Sequence, residues 1–103
     1  MSDILIRIKR AMLDRRFEFT RKARGEMTAD RLSEWDVIEA IINAVAIHKT
    51  IRSTSPRRAV AGERLYVIIG TNMNGLPIYT KGKLVRASGV ETFYILISSK
   101  RAQ

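Results

Sequence analysis

Cysteine is missing from this 103-residue chain, and histidine occurs once. The first absence excludes a disulfide framework, a cysteine zinc site and a thiol nucleophile, and it makes a reducing compartment, the cytoplasm, the expected home. The second excludes a ribonuclease that works with a histidine pair. With no His/carboxylate cluster at ligand spacing, neither a metal nor any other cofactor is expected. No Gly-rich phosphate loop is present. No run approaches the roughly eighteen apolar residues of a membrane span, and Met1-Ser2-Asp3-Ile4-Leu5-Ile6-Arg7 carries charge too early for a signal peptide. No membrane partner is therefore expected.

Acids are scarce in one half only. Residues 1–48 hold nine Lys/Arg against eight Asp/Glu, whereas residues 49–103 hold ten against two, Glu63 and Glu91, so nearly all of the +9 net charge sits in the second half. A one-sided cationic field attracts polyanions, and nucleic-acid phosphate is the commonest in a cell. Two acids are also too few for a carboxylate-held two-metal nuclease site in that half.

The pattern of apolar residues divides the chain at the same place. Ser2 and Asp3 suit the start of a helix carrying Ile4, Leu5, Ile8 and Met12 on one side and ending near Arg15. Phe17-Glu18-Phe19 reads as a short extended piece. Thr20 can cap a second helix that turns Ala23 and Met27 inward, and Ser33-Glu34-Trp35-Asp36 has the form of a capping box opening a third, which runs through Val37, Ile38, Ile41 and Ile42 to about Asn43. From Val45 the period becomes two: four strands are expected, separated by a long loop over residues 53–62 and by turns at Asn72-Met73-Asn74-Gly75 and Ser88-Gly89. The length suits one domain over residues 1–103, α+β in class, with three helices (about 2–44) packed on one face of a four-stranded antiparallel sheet (about 45–101).

If Ser88 and Gly89 are the two central residues of a hairpin turn, Ala87 faces Val90 and the register of the last two strands follows. Tyr79, Lys81, Lys83, Tyr94, Leu96, Ser98 and Lys100 then share one face, and Ile78, Leu84, Phe93, Ile95 and Ile97 form the core face, with Arg86 beside Glu91. On the first strand the same parity groups Val45, Ile47 and Ile51 inward and His48, Thr50 and Arg52 outward, with Lys49 falling among the apolar set, at a bulge or at an edge where it can snorkel. An ordinary solvated sheet surface would mix both signs of charge; this one carries almost no acid.

Lys, Arg and Tyr without a metal suit one chemistry, attack of an RNA 2′-hydroxyl on the adjacent phosphorus. The substrate brings its own nucleophile. The protein removes one proton, neutralises the phosphoryl oxygens and protonates the leaving 5′-oxygen. The same residues would equally bind RNA, or a protein partner, without cutting. His48 is a further candidate acid or base, although a lone strand histidine is more often structural.

The segments Phe19-Thr20-Arg21-Lys22-Ala23, Trp35-Asp36-Val37-Ile38-Glu39-Ala40-Ile41, Lys49 to Ser53, Ile78-Tyr79-Thr80-Lys81 and Ser98-Ser99-Lys100 together resemble, in order and pattern, the MqsR-type mRNA interferase toxins of bacterial toxin-antitoxin pairs, within the RelE-like fold. The resemblance implies a metal-independent endoribonuclease, silenced by an antitoxin that often carries a zinc finger and binds DNA. It places Arg52, Tyr79, Lys81 and Lys100 in catalytic positions. A glutamine of the family's second strand has no counterpart; Glu63 and Arg64 stand near it. Lys49, Arg57, Arg58, Lys83, Tyr94 and Arg101 are the expected RNA-binding residues around that set, and the first helix is a candidate contact for the antitoxin or for a second copy in a homodimer.

Overall fold

The computed structural model describes residues 2–54, 62–87, 89 and 91–103, with the backbone alone of Ala87 and Glu91. Three helices, α1 (Asp3–Leu13), α2 (Arg21–Ala29) and α3 (Glu34–Asn43), accompany five strands, β1 (Phe17–Phe19), β2 (Lys49–Arg52), β3 (Arg64–Thr71), β4 (Pro77–Ala87) and β5 (Glu91–Arg101). The expected caps are formed. Ser2 Oγ accepts from Leu5 N, Thr20 Oγ1 accepts from Ala23 N, and Ser33 and Asp36 close a reciprocal capping box. Each cap satisfies an orphan N–H of a first turn, which fixes where these short helices begin. None of the described helices is long and apolar enough to cross a membrane.

The class is α+β, as the periodicity indicates, but the sheet has five strands in the order β1-β5-β4-β3-β2 and is mixed. The extra strand is the Phe17–Phe19 piece, which runs parallel to β5 with Phe17 beside Tyr94 and Phe19 beside Leu96. It is too short for period alone to reveal a partner. Its place is set by bonds at its two ends, Tyr94 N to Arg16 O at 3.0 Å and Thr20 N to Leu96 O at 2.9 Å.

All three helices cover one sheet face. Leu5, Ile8, Met12, Ala23, Met27, Val37, Ile38 and Ile41 pack with Ile68, Ile78, Tyr94 and Leu96 in a single core. Gly70 allows the closest approach: a Cβ there would collide with the backbone of Ala40 in α3, so this glycine sets how tightly α3 lies on the sheet.

The β4–β5 register differs from the two-residue-turn expectation. Ala87 pairs with Glu91, leaving three residues between them, and Tyr94 therefore lies opposite Leu84 rather than Lys83. A slip of one residue turns a strand over. Tyr94 and Leu96 accordingly enter the core, each 0% exposed, while Ile95, opposite Lys83, faces away from the helices. At Lys81/Gly82 the register shifts again, with Ile97 as the additional residue, so that Lys81 pairs with Ser98 and Tyr79 with Lys100. This bulge restores the original parity, and the expected Tyr79–Lys100 side of the sheet survives although the middle of β5 is inverted.

Candidate nucleic-acid interface

The open sheet face is built from alternate residues. Ile68 and Ile78 point into the core, so Leu65, Val67 and Ile69 of β3 and Tyr79, Lys81 and Lys83 of β4 point the other way. On β2, Lys49 pairs with Val67 and Ile51 with Leu65, which puts both on this same face. Lys49 thus needs no bulge; the face assigned to Ile51 was the wrong one, because Ile51 serves a second, smaller apolar cluster outside the helix-side core. Val67 is 0% exposed although it belongs to the open face, with Lys49 and Lys81 as its lateral neighbours. Lysines so placed can cover an apolar neighbour with their aliphatic stems while the ammonium groups reach water.

One groove of about 570 Å³ crosses this face. Its apolar surface comes from Ile51, Leu65, Ile95 and Ile97, and its charge from Lys22, Arg52, Lys81, Lys83 and Glu63. Glu63 is 8% exposed, and both carboxylate oxygens lie 3.3 Å from Lys83 Nζ. The pair holds one lysine at the inner wall, while Lys22, 60% exposed, stands at the outer rim with its Nζ 3.7 Å from Glu26 Oε2. Thr20 Oγ1 donates to Ile97 O at 3.3 Å, which ties the start of α2 to the bulged part of β5 and brings Lys22 over the groove. Glu26, one turn further on, accepts from Ser98 Oγ at 2.8 Å and Ser99 N at 3.0 Å. Burial alone would raise its carboxyl, but these two hydrogen bonds with the Lys22 and Lys100 charges outweigh burial and hold it below the usual value.

Tyr79 and Lys100 form a separate unit. Lys100 Nζ lies 5.4 Å from the Tyr79 ring centroid, and both border a depression of about 400 Å³ with Ile69 and Arg101 rather than the main groove. Arg101 is directed toward α2, where its Nε donates to Asp30 O at 3.1 Å. The structure therefore brings together Lys81 and Lys83, with Lys49 nearby on the same face, and sets Tyr79 of β4 and Lys100 of β5 beside them. Arg52 borders the groove at the end of β2, but because it alternates with Ile51 it belongs to the opposite set and not to the outward face expected for it. Tyr94 is removed from the interface altogether. Its ring fills the core across Gly82, and burial, with Tyr66 close by, pushes its phenol far above the ordinary range. Ser98, expected on the cationic face, is buried against Glu26. His48 is exposed just ahead of β2, held by its backbone N–H to Val67 O at 2.8 Å. Arg57 and Arg58 lie outside the described residues. Arg86 pairs with Thr92, so the expected Arg86–Glu91 opposition does not occur.

Compared with protein-family models, curated proteins and solved structures, the chain matches none. Function must be argued from the groove.

The arrangement suits an unpaired, phosphate-bearing strand. Cations around an apolar floor can neutralise a backbone while splayed bases rest on Ile, Leu and Tyr surfaces; a duplex would offer only its phosphates. Among the described residues no group of three or more His, Asp or Glu is placed to hold a metal ion. Sequence reasoning missed Thr20, Lys22 and Glu63. One signal for Lys22 was available: α2 opens with Arg21 and Lys22 and has no acid in its first turn, against the preference of the helix dipole, whereas α1 and α3 both begin with acids.

Proposed function

We propose that the protein is a metal-independent endoribonuclease of the mRNA-interferase kind, with its reaction in the groove on the open sheet face. One observation carries this reading: Lys22, Arg52, Lys81 and Lys83, from three elements far apart in sequence, converge on a single cavity that also contains a carboxylate, Glu63. Phosphate neutralisation and proton transfer need those two kinds of group together. In the step envisaged, the 2′-oxygen bonds to phosphorus and the P–O5′ bond breaks. The 2′-proton passes to Glu63, the 5′-oxygen takes a proton from a lysine ammonium, and the products are a 2′,3′-cyclic phosphate and a 5′-hydroxyl. Arg52 and Lys81 hold the phosphoryl oxygens, and Lys83 positions Glu63. The resemblance to MqsR-type toxins agrees with this chemistry and adds an antitoxin as the partner expected to silence it.

A second reading is RNA binding without cleavage. It is favoured by the pairing of Tyr79 with Lys100 in the neighbouring depression, which leaves two of the expected catalytic residues outside the groove that Arg52 and Lys81 line.

Incubation of the purified protein with unstructured RNA in excess chelator separates the two. Cleavage leaving 2′,3′-cyclic phosphate ends, lost in Lys81→Ala and Glu63→Gln, supports the nuclease. Intact RNA that is still retarded on a gel, with retardation lost in Lys81→Ala, refutes cleavage and leaves binding. Growth arrest on expression, relieved by a neighbouring open reading frame, tests the toxin role.

A further inference from the structure

Away from the groove, at the corner where α1, β1 and α3 meet, the only tryptophan of the chain stands 63% exposed. Trp35 opens α3 but fills no core. The Arg15 guanidinium lies 5.5 Å from its ring centroid and 5.6 Å from that of Phe17. Phe17 meets Phe19 edge-on at 5.7 Å; Arg24 lies 5.2 Å over Phe19 and bonds Glu34, the neighbour of Trp35, at 3.1 Å. Arg15 also occupies a left-handed backbone position, φ 61°, just beyond α1, where glycine is the favoured residue. The chain thus keeps a guanidinium between an exposed indole and the half-buried Phe17 ring at a position that disfavours it; Arg31 takes the same conformation (φ 57°) beyond α2.

An exposed indole flanked by guanidinium groups is the combination with which proteins hold splayed bases. The corner is also continuous with the groove. Lys22 lines the groove and Arg24 belongs to the corner, and on a helix wheel Arg21 lies between them on the solvent side of α2. These three cations fill the first turn of α2 without an intervening acid. Gly25, on the same solvent side, has nothing within 4 Å of where a Cβ would be, so the surface between groove and corner stays low and unobstructed.

We propose that this corner is an RNA exosite: a strand held in the groove passes over Arg21 and Arg24, around the β1 edge, and stacks an unpaired base on Trp35. The inference rests on the groove binding RNA and adds a second, separable contact. It requires longer RNA to bind more tightly than short RNA, and Trp35 to report the difference.

The test uses 2′-O-methyl RNA, which lacks the nucleophile, as end-labelled oligonucleotides of about 4 and about 16 nucleotides, the range over which single-strand sites of small folds extend. Anisotropy gives affinity, and the intrinsic fluorescence of Trp35 gives contact. Both oligonucleotides are expected to bind in a Lys81-dependent manner. The long one is expected to bind about 10-fold more tightly and alone to quench Trp35. Trp35→Ala and, independently, Arg24→Ala should abolish that advantage while leaving the short oligonucleotide unaffected and the circular dichroism unchanged. If the long oligonucleotide leaves Trp35 unquenched, or keeps its advantage in Trp35→Ala, the exosite is refuted and the corner is a protein contact. If neither oligonucleotide binds, or binding is indifferent to Lys81→Ala, the groove reading itself fails.

Discussion

Gly82→Ala is the most direct test of how β5 is seated. A methyl group at this position would lie 2.5 Å from Tyr94 Cζ, 2.7 Å from Tyr94 Oη and 2.7 Å from the carbonyl oxygen of Ile95. Ordinary contacts between such atoms are about 3.5 Å or more, so each falls short by close to 1 Å. Neither neighbour yields easily. Tyr94 is 0% exposed among core side chains, and Ile95 O belongs to the strand backbone. Overpacking of this sort costs about 1–3 kcal/mol. Displacing the Tyr94 hydroxyl from Tyr66 O, 3.5 Å away, adds roughly 1 kcal/mol or more for a buried group left unpaired. Against this, alanine restricts the unfolded chain and returns about 0.4–1 kcal/mol. The net expectation is a loss of about 2–3 kcal/mol, read as a fall of about 1–2 M in the urea midpoint with unchanged slope. In a Tyr94→Leu background the cost of Gly82→Ala should shrink by at least about 1 kcal/mol, since touching residues couple. A variant within about 0.5 kcal/mol of the parent would mean that Tyr94 does not cross Gly82. The register that places Tyr94 opposite Lys83, on the open face, would then stand.

Glu26 makes stability depend on acid. Its carboxyl is held below the ordinary value, so its contribution is complete above about pH 5 and is lost as pH falls through the folded-state value; thermal melts should drop below about pH 4.5, less steeply in Glu26→Gln. Asp36 adds to the same slope, because the Ser33 backbone N–H, with the Asn72 and Ser33 side chains, lowers its carboxyl against the effect of burial. Ser33→Ala removes the acceptor for Asp36 N at 3.1 Å and should cost about 1 kcal/mol in chemical denaturation. Glu63→Gln should move two quantities in opposite directions: weakening the contact with Lys83 lowers stability by about 1–3 kcal/mol, while removing a negative charge from the groove tightens binding of non-cleavable RNA several-fold. Weaker RNA binding in this variant would contradict the placement of phosphate beside Lys83.

Local features of the fold were legible in the sequence wherever a short-range rule decides the outcome. Ser2, Thr20 and Ser33 cap helices because each offers an oxygen to N–H groups two or three residues on, and Ala23, Met27, Val37 and Ile41 are buried because helical spacing puts them on one side. Long-range placement was less legible. The Phe17–Phe19 piece was found but not its parallel pairing with β5, which depends on strand ends far away in sequence. The face of Tyr94 was misread because one residue of turn length decides it, and Tyr79 and Lys100 came out together only because the bulge at Ile97 cancelled that error. Ile51 was placed in the core because apolar character cannot tell which of two apolar clusters a residue joins. Lys81 and Lys83 were recognised from charge and parity, whereas the parity given to Arg52 failed together with that of Ile51. Lys22 and Glu63 were not, because their roles come from helix docking and a cross-strand ion pair.

The edge pairing of β1 with β5 has a kinetic consequence. Hydrogen bonds from the residue 16–30 region to β5 close loops of 71 to 77 residues, through Arg16, Thr20, Glu26 and Asp30. Closing loops of that size is entropically costly and slow, whereas the β3–β4–β5 meander closes by short turns. The meander should therefore form first, with Ile68 and Ile78 bare on one side and Ile95 and Leu65 on the other, and the helices should arrive last. During translation β1 and α2, whose main partner is β5, cannot reach their final places until β5 has been made. A nascent chain therefore stays unable to assemble the cationic groove, and the interval before the helices dock is when it is most exposed to self-association and most in need of a chaperone.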